Sequence, residues 1–397
     1  MLMLHTSDWH LGRSLHRADL REAQAGFLDH LVATVRSEKI NVVLVAGDVY
    51  DRAVPPVDAV ELCEDALLRL HSTGARIVLI SGNHDSGRRL GFGGALLDQA
   101  GVHLRTRAAT LARPVLLEDA HGPVAVYGVP YLEPDAVRNE LPIVRGEGEV
   151  GGGQADALPV PRGHPGVIGH AVRCIKADAD ARGVRRRVVM AHGWVSGGAA
   201  SDSERDITVG GVGQVPAELF AGFSYVALGH LHGQQTLAGH LRYSGSPLPY
   251  SFSEASHRKG SWLVELGAEG VKRAERVPAP VYRKLSVLRG RLADLIGSAA
   301  YARYTDDFVS VALTDATRPE GAMDALRARF PHILVLTFEP EGARPGRRGY
   351  RAILAGRDDL AIAAEFVKHV RNGPVTQGEQ QLLTEAFESV RVTEAAD

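Results

Sequence analysis

Val42-Val43-Leu44-Val45-Ala46-Gly47-Asp48 is an unalternated apolar run that stops on a glycine and a carboxylate. A run this short and this rich in β-branched residues suits a strand buried on both faces of a sheet. The same grammar recurs on either side of it. Met1 to Leu4 leads to Asp8-Trp9-His10, and Ile77 to Ile80 leads to Gly82-Asn83-His84-Asp85. Val188 to Ala191 ends at His192-Gly193, and Tyr225 to Leu228 ends at Gly229-His230-Leu231-His232. In open α/β sheets, ligands collect beyond the carboxyl ends of the strands. Strands distant in sequence would therefore present Asp, Asn and His to one crevice.

Between these runs the periodicity changes. Phe27, Leu28, Leu31, Val32 and Val35 lie at helical spacing within 18–38, as do Val60, Leu62, Ala66, Leu67 and Leu70 within 57–73. Strands at 1–5, 41–46 and 76–80 thus alternate with helices, a βαβ pattern that implies parallel pairing and right-handed crossovers. Shorter β-like pieces follow from about 102 to 132, and residues 144–166, rich in Gly and Pro, read as an exposed mobile loop. A helix near 167–182 precedes the His192 strand. After His232, strands separated by Gly turns suggest a second, more antiparallel layer that closes near 278. Beyond Pro278-Ala279-Pro280 the order reads strand 282–288, helix 290–298, strand 307–313, helix 319–329 and strand 332–338. A Gly/Arg-rich turn at 341–349 and helices near 358–372 and 377–391 complete a small α/β tail without a ligand constellation. The fold class is α/β.

Composition narrows the function classes. The chain has 397 residues and a formal charge of −2, so any nucleic-acid binding must use local basic patches. Cys63 and Cys174, far apart in helix-like segments, read as small core residues and not as a disulfide framework. No signal peptide and no spanning apolar run is evident, which points to a soluble protein of the cytoplasm.

The Asp, Asn and His set is what two divalent cations about 4 Å apart require: a shared carboxylate, with imidazole and oxygen donors on either side. Asp48, central in the set, is the natural bridge. Asp8, His10 and one later His can complete one metal, and Asn83, His192 and another His the second. The neutral amide of Asn83 limits the negative charge that would repel a phosphate. His84 is read as a catalyst, not a ligand, with Asp51 placed to orient its imidazole. Asp85 reads as a cap on the segment that follows it. The mixed N/O donors suit Mn²⁺ first, then Fe²⁺ or Zn²⁺, and the number of imidazoles disfavours Mg²⁺. Trp9 reads as packing, and Arg185-Arg186-Arg187 as a solvated helix end.

The ordered pattern Asp-x-His, Gly-Asp, Gly-Asn-His-Asp, His and Gly-His-x-His resembles the calcineurin-like metallophosphoesterase superfamily. That resemblance implies a two-layered β-sheet core flanked by helices. Longer stretches narrow it: His5 to Gly12, Ala46 to Arg52, Ser81 to Ser86, Val226 to His232 and Tyr243 to Leu248 look like the SbcD nucleases. These are bacterial relatives of the nuclease subunit of the double-strand-break repair complex. The resemblance covers roughly 1–280 and implies a nuclease domain there, a capping domain at 281–356, and C-terminal helices at 357–397 that dock on a partner. It implies Asp8, His10, Asp48 and His232 at one metal, Asp48, Asn83, His192 and His230 at the other, and His84 as the catalytic histidine. It further implies an SbcC-type SMC-like ATPase as partner, and a homodimer within a heterotetramer, formed through helices near 57–73 or 93–100. The substrate would be DNA ends, hairpins and single strands, in a nucleoid-associated role in repair, recombination and replication. Relatives outside the bacteria carry a His at the position of Asp51, so a second catalytic histidine does not transfer. Arg13, Arg17, Arg52, Arg88 and Arg89 follow the ligand loops and are candidate DNA contacts. A phosphatase or cyclic-nucleotide phosphodiesterase on the same scaffold, and a non-catalytic scaffold, are the competing readings.

Overall fold

The computed structural model describes residues 1–137, 140–142, 163–205, 207, 213–341, 359–371 and 375–394. Its strands in chain order are β1 (Leu2–Thr6), β2 (Val42–Ala46), β3 (Arg76–Ile80), β4 (Val102–Arg105), β5 (Val115–Asp119), β6 (Gly122–Val129), β7 (Arg186–His192) and β8 (Tyr225–Gly229). Then come β9 (Gln235–Ala238), β10 (Leu241–Tyr243), β11 (Gly260–Leu266), β12 (Val271–Pro278), β13 (Leu285–Gly290), β14 (Phe308–Leu313) and β15 (Ile333–Phe338). One sheet has the order β12-β11-β1-β2-β3-β4, the second β5-β6-β7-β8-β10-β9, and a third, smaller one β13-β14-β15.

Strands β1 to β4 pair in parallel, with the helices Arg21–Ser37 and Val57–His71 in the crossovers. Alternate residues of β2 explain why its sequence lacks alternation. Val43 and Val45 pack under those helices with Phe27, Leu31 and Ala66. Val42, Leu44 and Ala46 face the second sheet and meet Val126, Val188, Met190 and Ala227. The far side of the second sheet, through Tyr127, Val189 and Val226, is covered by the helix Gly163–Ala181 with Val167, Ala171 and Ile175. The result is helix, sheet, sheet, helix. Each fully buried Val, Leu or Ile contributes about 1.5–3 kcal/mol, so both faces of β2 specify its position.

The layer expected after His232 divides differently. β9 and β10 join the second sheet, whose middle is parallel: β6-β7-β8 and β8-β10. β11 and β12 instead add antiparallel to the first sheet, on β1. The open edge of β1 is the reason: without β11, the backbone groups of a buried strand would lack partners. The helix placed at 167–182 begins at Gly163, four residues inside the expected loop, and the rest of 144–166 lies outside the described residues, as do 342–349 of the Gly/Arg turn. Arg186 is no solvated helix end. It is buried in β7, where its guanidinium donates to both oxygens of Asp119 (2.6 and 2.8 Å), and Asp119 also takes the N-terminal ammonium at 2.7 Å. Arg187 donates to Asp180. Cys63 and Cys174 are free and buried.

Two compact units are distinguished. The larger comprises Met1–Ala312 and Glu320–Thr337, and includes most of the third sheet, which packs through Phe308, Leu285 and Leu334 on Leu15, Leu20 and Tyr250. The smaller comprises Leu313–Pro319 and Phe338–Asp397, with the helices Asp359–Arg371 and Gln377–Glu394. Among the described residues no helix is long and apolar enough to cross a membrane.

Candidate metal centre

Five loops leave the carboxyl ends of β1, β2, β3, β7 and β8 and meet where the two sheets abut. They are stitched together directly. His192 Nδ1 donates to the Ala46 carbonyl at 2.9 Å, the His230 amide donates to Asp8 at 3.0 Å, and the His84 amide donates to Asp48 Oδ1 at 2.8 Å. Asp8, His10, Asp48, His192, His230 and His232 are all buried, while Asn83 and His84 are half-buried. Backbone strain concentrates here. Asp8 (φ 53°), His10 (46°), Asp48 (48°) and His230 (105°) all adopt left-handed conformations, which cost about 1–3 kcal/mol each. Close approach also dictates the glycines. A Cβ on Gly82 would stand 2.1 Å from Asp48 Oδ1, and one on Gly229 would stand 1.9 Å from the Ala46 carbonyl oxygen.

The donor atoms point at one another. His10 Nε2 and His232 Nε2 are 3.1 Å apart, and Asn83 Oδ1 lies 2.9 Å from His192 Nε2 and 3.1 Å from His230 Nδ1. Asp48 Oδ2 sits between the groups, 3.6 Å from His10 Nε2 and 3.5 Å from His192 Nε2. Tautomers follow from the partners. A carbonyl only accepts, so His192 carries a proton on Nδ1, which leaves Nε2, facing Asn83 Oδ1 and Asp48 Oδ2, as the nitrogen that takes a second proton or a metal. Ser203 donates its single proton to the acceptor Glu254 Oε1, so its oxygen accepts from His232 Nδ1 at 2.5 Å, and His232 Nε2 presents a lone pair. Imidazole nitrogens, carboxylates and an amide oxygen buried together around Asp48 form a donor set that divalent cations would satisfy. Asp8, His10 and His232 form one compact group, and Asp8, Asp48 and His192 another. The residues present fit two metals sharing Asp48.

Electrostatics agree. Burial pushes Asp8 up to about 6, lowers His230 to about 3, and depresses His10 well below its usual value. Burial also opposes charge on Asp48 and His192, but their mutual attraction prevails: Asp48 is held well below the carboxylate range and His192 is raised to about 9. A metal would replace that proton.

His84 lies beside this set, its ring 4.7 Å from that of His10, and it groups with His10 and Asp48. Asp51 does orient it, though not through the carboxylate. His84 Nδ1 donates to the Asp51 backbone carbonyl at 2.8 Å, while the carboxylate stands 3.6 Å from His10 Nδ1 and from Arg13 Nε. The turn geometry sends the side chain outward to the first loop. Asp85 does not cap the following segment; Ser86 does. Asp85 accepts from the amides of Val49, Tyr50 and Gly82, clamping the β2 loop to the β3 loop, and burial raises it to about 7. Trp9 is buried and donates to Thr6.

The five arginines separate. Arg13 points inward, donating to the Ser203 carbonyl at 2.8 Å and lying over Tyr250. Arg88 stands 3.5 Å from Glu140, and Arg89 donates to the Ala53 carbonyl. Arg17 and Arg52 are exposed, with no ion pair among the described residues. Arg205, which no sequence pattern marks, is exposed near His84 and, after burial, helps to hold its pKa down. Also unforeseen is the support of His232. Glu204 accepts its amide at 2.7 Å, and Lys259 donates to its carbonyl at 2.9 Å, to Ser246 and to Glu254. Gln24 donates to the His10 carbonyl at 2.9 Å.

The family described as calcineurin-like phosphoesterase matches this chain over residues 1–234. Among solved structures, TT1561 of Thermus thermophilus is 14% identical, covering 69% of this chain and 98% of that one, with a TM-score of 0.37. GAP50, the anchor in the inner membrane complex of Plasmodium, is 9% identical, covering 86% and 98%, with a TM-score of 0.34.

Proposed function

The chain belongs to the calcineurin-like phosphoesterase family, and from that premise we propose that it is the nuclease subunit of an SbcCD-type complex. Family membership carries metal-dependent phosphoester hydrolysis with two divalent metals, and the His/Asp clusters of this chain fit that requirement. The finer reading is a DNA exonuclease that also nicks single strands and hairpins. The observation that carries the chemistry is the convergence of imidazole, carboxylate and amide donor atoms from five loops around Asp48. The polymeric substrate is supported by the SbcD-like stretches and by exposed Arg17, Arg52 and Arg205 near the ligand loops.

When bound, the divalent metals, with Mn²⁺ the favoured ion, supply positive charge against the phosphate oxygens and acidify water. Asp8, His10, Asp48 and His232 would hold one, and Asp48, Asn83, His192 and His230 the other. His84 keeps its proton on Nδ1 against the Asp51 carbonyl, which leaves Nε2 to exchange a proton with the reacting phosphoester. Its neutral form, favoured by burial and then by Arg205, is placed to take a proton from the attacking water and give it to the leaving oxygen.

In the same reading residues 1–280 are the nuclease domain, 281–356 the capping domain, and 357–397 the element that docks on the SMC-like ATPase. Exposed Phe366 and Leu382 support an apolar contact there. A homodimer through the helices near 57–73 or 93–100 is supported by the exposure of Val57, Val60 and Leu68 in the first and of Leu96 in the second. The test is Mn²⁺-dependent release of nucleotides from linear duplex DNA, with Asp48→Ala as the blank, with and without the ATPase and ATP. Release abolished by Asp48→Ala is expected. Turnover of bis(p-nitrophenyl) phosphate with none of DNA would move the assignment to a small phosphoester.

A further inference from the structure

A groove of about 700 Å³ lies behind the metal centre, walled by the segments around Leu15–Ala23, Pro247–Lys259, Pro278–Ser286 and Arg303–Phe308. None of the candidate metal ligands lines it. Its size falls within the range of small-molecule sites, about 300–1,000 Å³. Six cations border it: Arg258, Lys259, Arg276, Arg283, Lys284 and Arg303. Only two carboxylates face them, and both are engaged: Glu254 takes Lys259, and Asp307 accepts from Ser286 at 2.6 Å. In a chain whose formal charge is −2 this is a strong local positive excess. Arg258, Arg276 and Lys284 are exposed and have no ion pair among the described residues.

The walls between the cations are apolar and aromatic. Tyr282 is 49% exposed and presents an open ring, whereas the Arg303 guanidinium covers Tyr304 at 4.7 Å and that of Arg283 covers the buried Phe308 at 5.3 Å. Proline, leucine and alanine side chains make most of the remainder, with Gln234, His257 and Ser286 the further polar groups. Arg258 and Lys284, with Arg276 resting 5.5 Å over Trp262, stand beside the exposed Tyr282 ring and match a nucleotide, whose phosphate takes the charge and whose base takes the ring. An acidic peptide would use the cations but leave the Tyr282 ring without a planar partner.

We propose that this groove is a sequence-tolerant cradle for unpaired nucleotides, holding a single-stranded segment of the substrate away from the metal centre. The assignment rests on the nuclease reading. Its floor adjoins the site directly, because Lys259 and Glu254, which line it, also support His232.

The test uses the full chain with chelator present, so that nothing is cleaved, and follows fluorescent oligo(dT) by anisotropy over a salt series. Arg258→Glu combined with Arg276→Glu changes exposed side chains outside the catalytic machinery, and Tyr282→Ala removes a stacking surface. The double variant is expected to bind on the order of tenfold more weakly or worse, with its salt slope reduced by roughly 0.7 for each phosphate of the single strand that is no longer neutralised. Tyr282→Ala is expected to weaken binding roughly fivefold or more. Mn²⁺-dependent hydrolysis of bis(p-nitrophenyl) phosphate should stay at the wild-type level in all variants, which establishes that they fold. Displacement by dTMP with the same dependence on these residues would also support a nucleotide site, with a free mononucleotide as the source. Wild-type binding unchanged in the variants overturns the cradle and leaves the nuclease reading standing. Equal displacement by oligo-glutamate overturns it as a general polyanion surface. Absence of oligonucleotide binding by the wild type would remove both.

Discussion

Replacing Ser203 by alanine tests how the protein fixes the proposed metal ligand His232 from behind. The Ser203 hydroxyl lies 2.5 Å from His232 Nδ1 and donates its own hydrogen bond to Glu254, so the carboxylate acts on the imidazole through the hydroxyl. Alanine leaves the Lys259–Glu254 pair intact, whereas Glu254→Gln would strand a buried ammonium at a cost of about 3–5 kcal/mol. Ser203→Ala is therefore the cleaner perturbation. Without the hydroxyl, His232 Nδ1 has only Glu254 Oε1 at 3.5 Å, beyond hydrogen-bonding range, and the ring can take the wrong tautomer or turn. Loss of such an outer partner weakens metal binding roughly 10–100-fold, which corresponds to about 1.4–2.7 kcal/mol. The loss should fall on one metal only, because His192 and Asn83 are held independently through Ala46 and β3. Calorimetric titration of the full chain with Mn²⁺ resolves this as one weakened and one unchanged site. Ser203→Thr, which keeps the hydroxyl, should recover most of the affinity. Equal affinities in wild type and alanine variant, or an equal loss in the threonine variant, would refute the relay.

His84→Ala should retain both metals by elemental analysis and lose about 10²–10⁴-fold in turnover; metal lost in parallel with activity would make His84 a ligand. Gly82→Ala should displace Asp48, since its Cβ would lie 2.1 Å from the carboxylate, and purified variant should carry less than one metal per chain; full occupancy would show that the loop yields. His192, raised from 6.5 to about 9 in the metal-free protein, favours the fold fully below pH 6.5 and loses that contribution as pH rises through 9. Chelator-treated protein should accordingly melt at lower temperature at pH 9 than at pH 7. Because a metal must displace the same proton, affinity should rise by about tenfold per pH unit up to pH 9. Affinity independent of pH across that window would mean that His192 is neutral before metal arrives.

The parts legible in the sequence are those written in short-range pattern. Val42 to Ala46 must be buried on both faces because no alternate residue is polar, and the ligand signatures follow strand ends because that is where the chain turns. What stayed hidden depends on long-range closure. Nothing in spacing connects Ser203, His232, Glu254 and Lys259, which meet only because the loop after β7 folds onto the turn before β11. The pairing of β11 with β1 joins residues more than two hundred apart, so no local signal assigns it to a sheet. Arg186 reads as solvated from its neighbours, yet it is buried because Asp119 waits beside it. Asp51 is legible as a partner of His84, but whether a residue acts through its carboxylate or its carbonyl is a matter of turn geometry.

The most direct test of the central claim is a crystal grown or soaked with Mn²⁺, with anomalous data collected at the manganese edge. Two peaks about 3.5–4 Å apart are expected, one among Asp8, His10, Asp48 and His232 and the other among Asp48, Asn83, His192 and His230. A single peak, or a second peak that takes His84 in place of Asn83, would contradict the two-metal site built around Asp48.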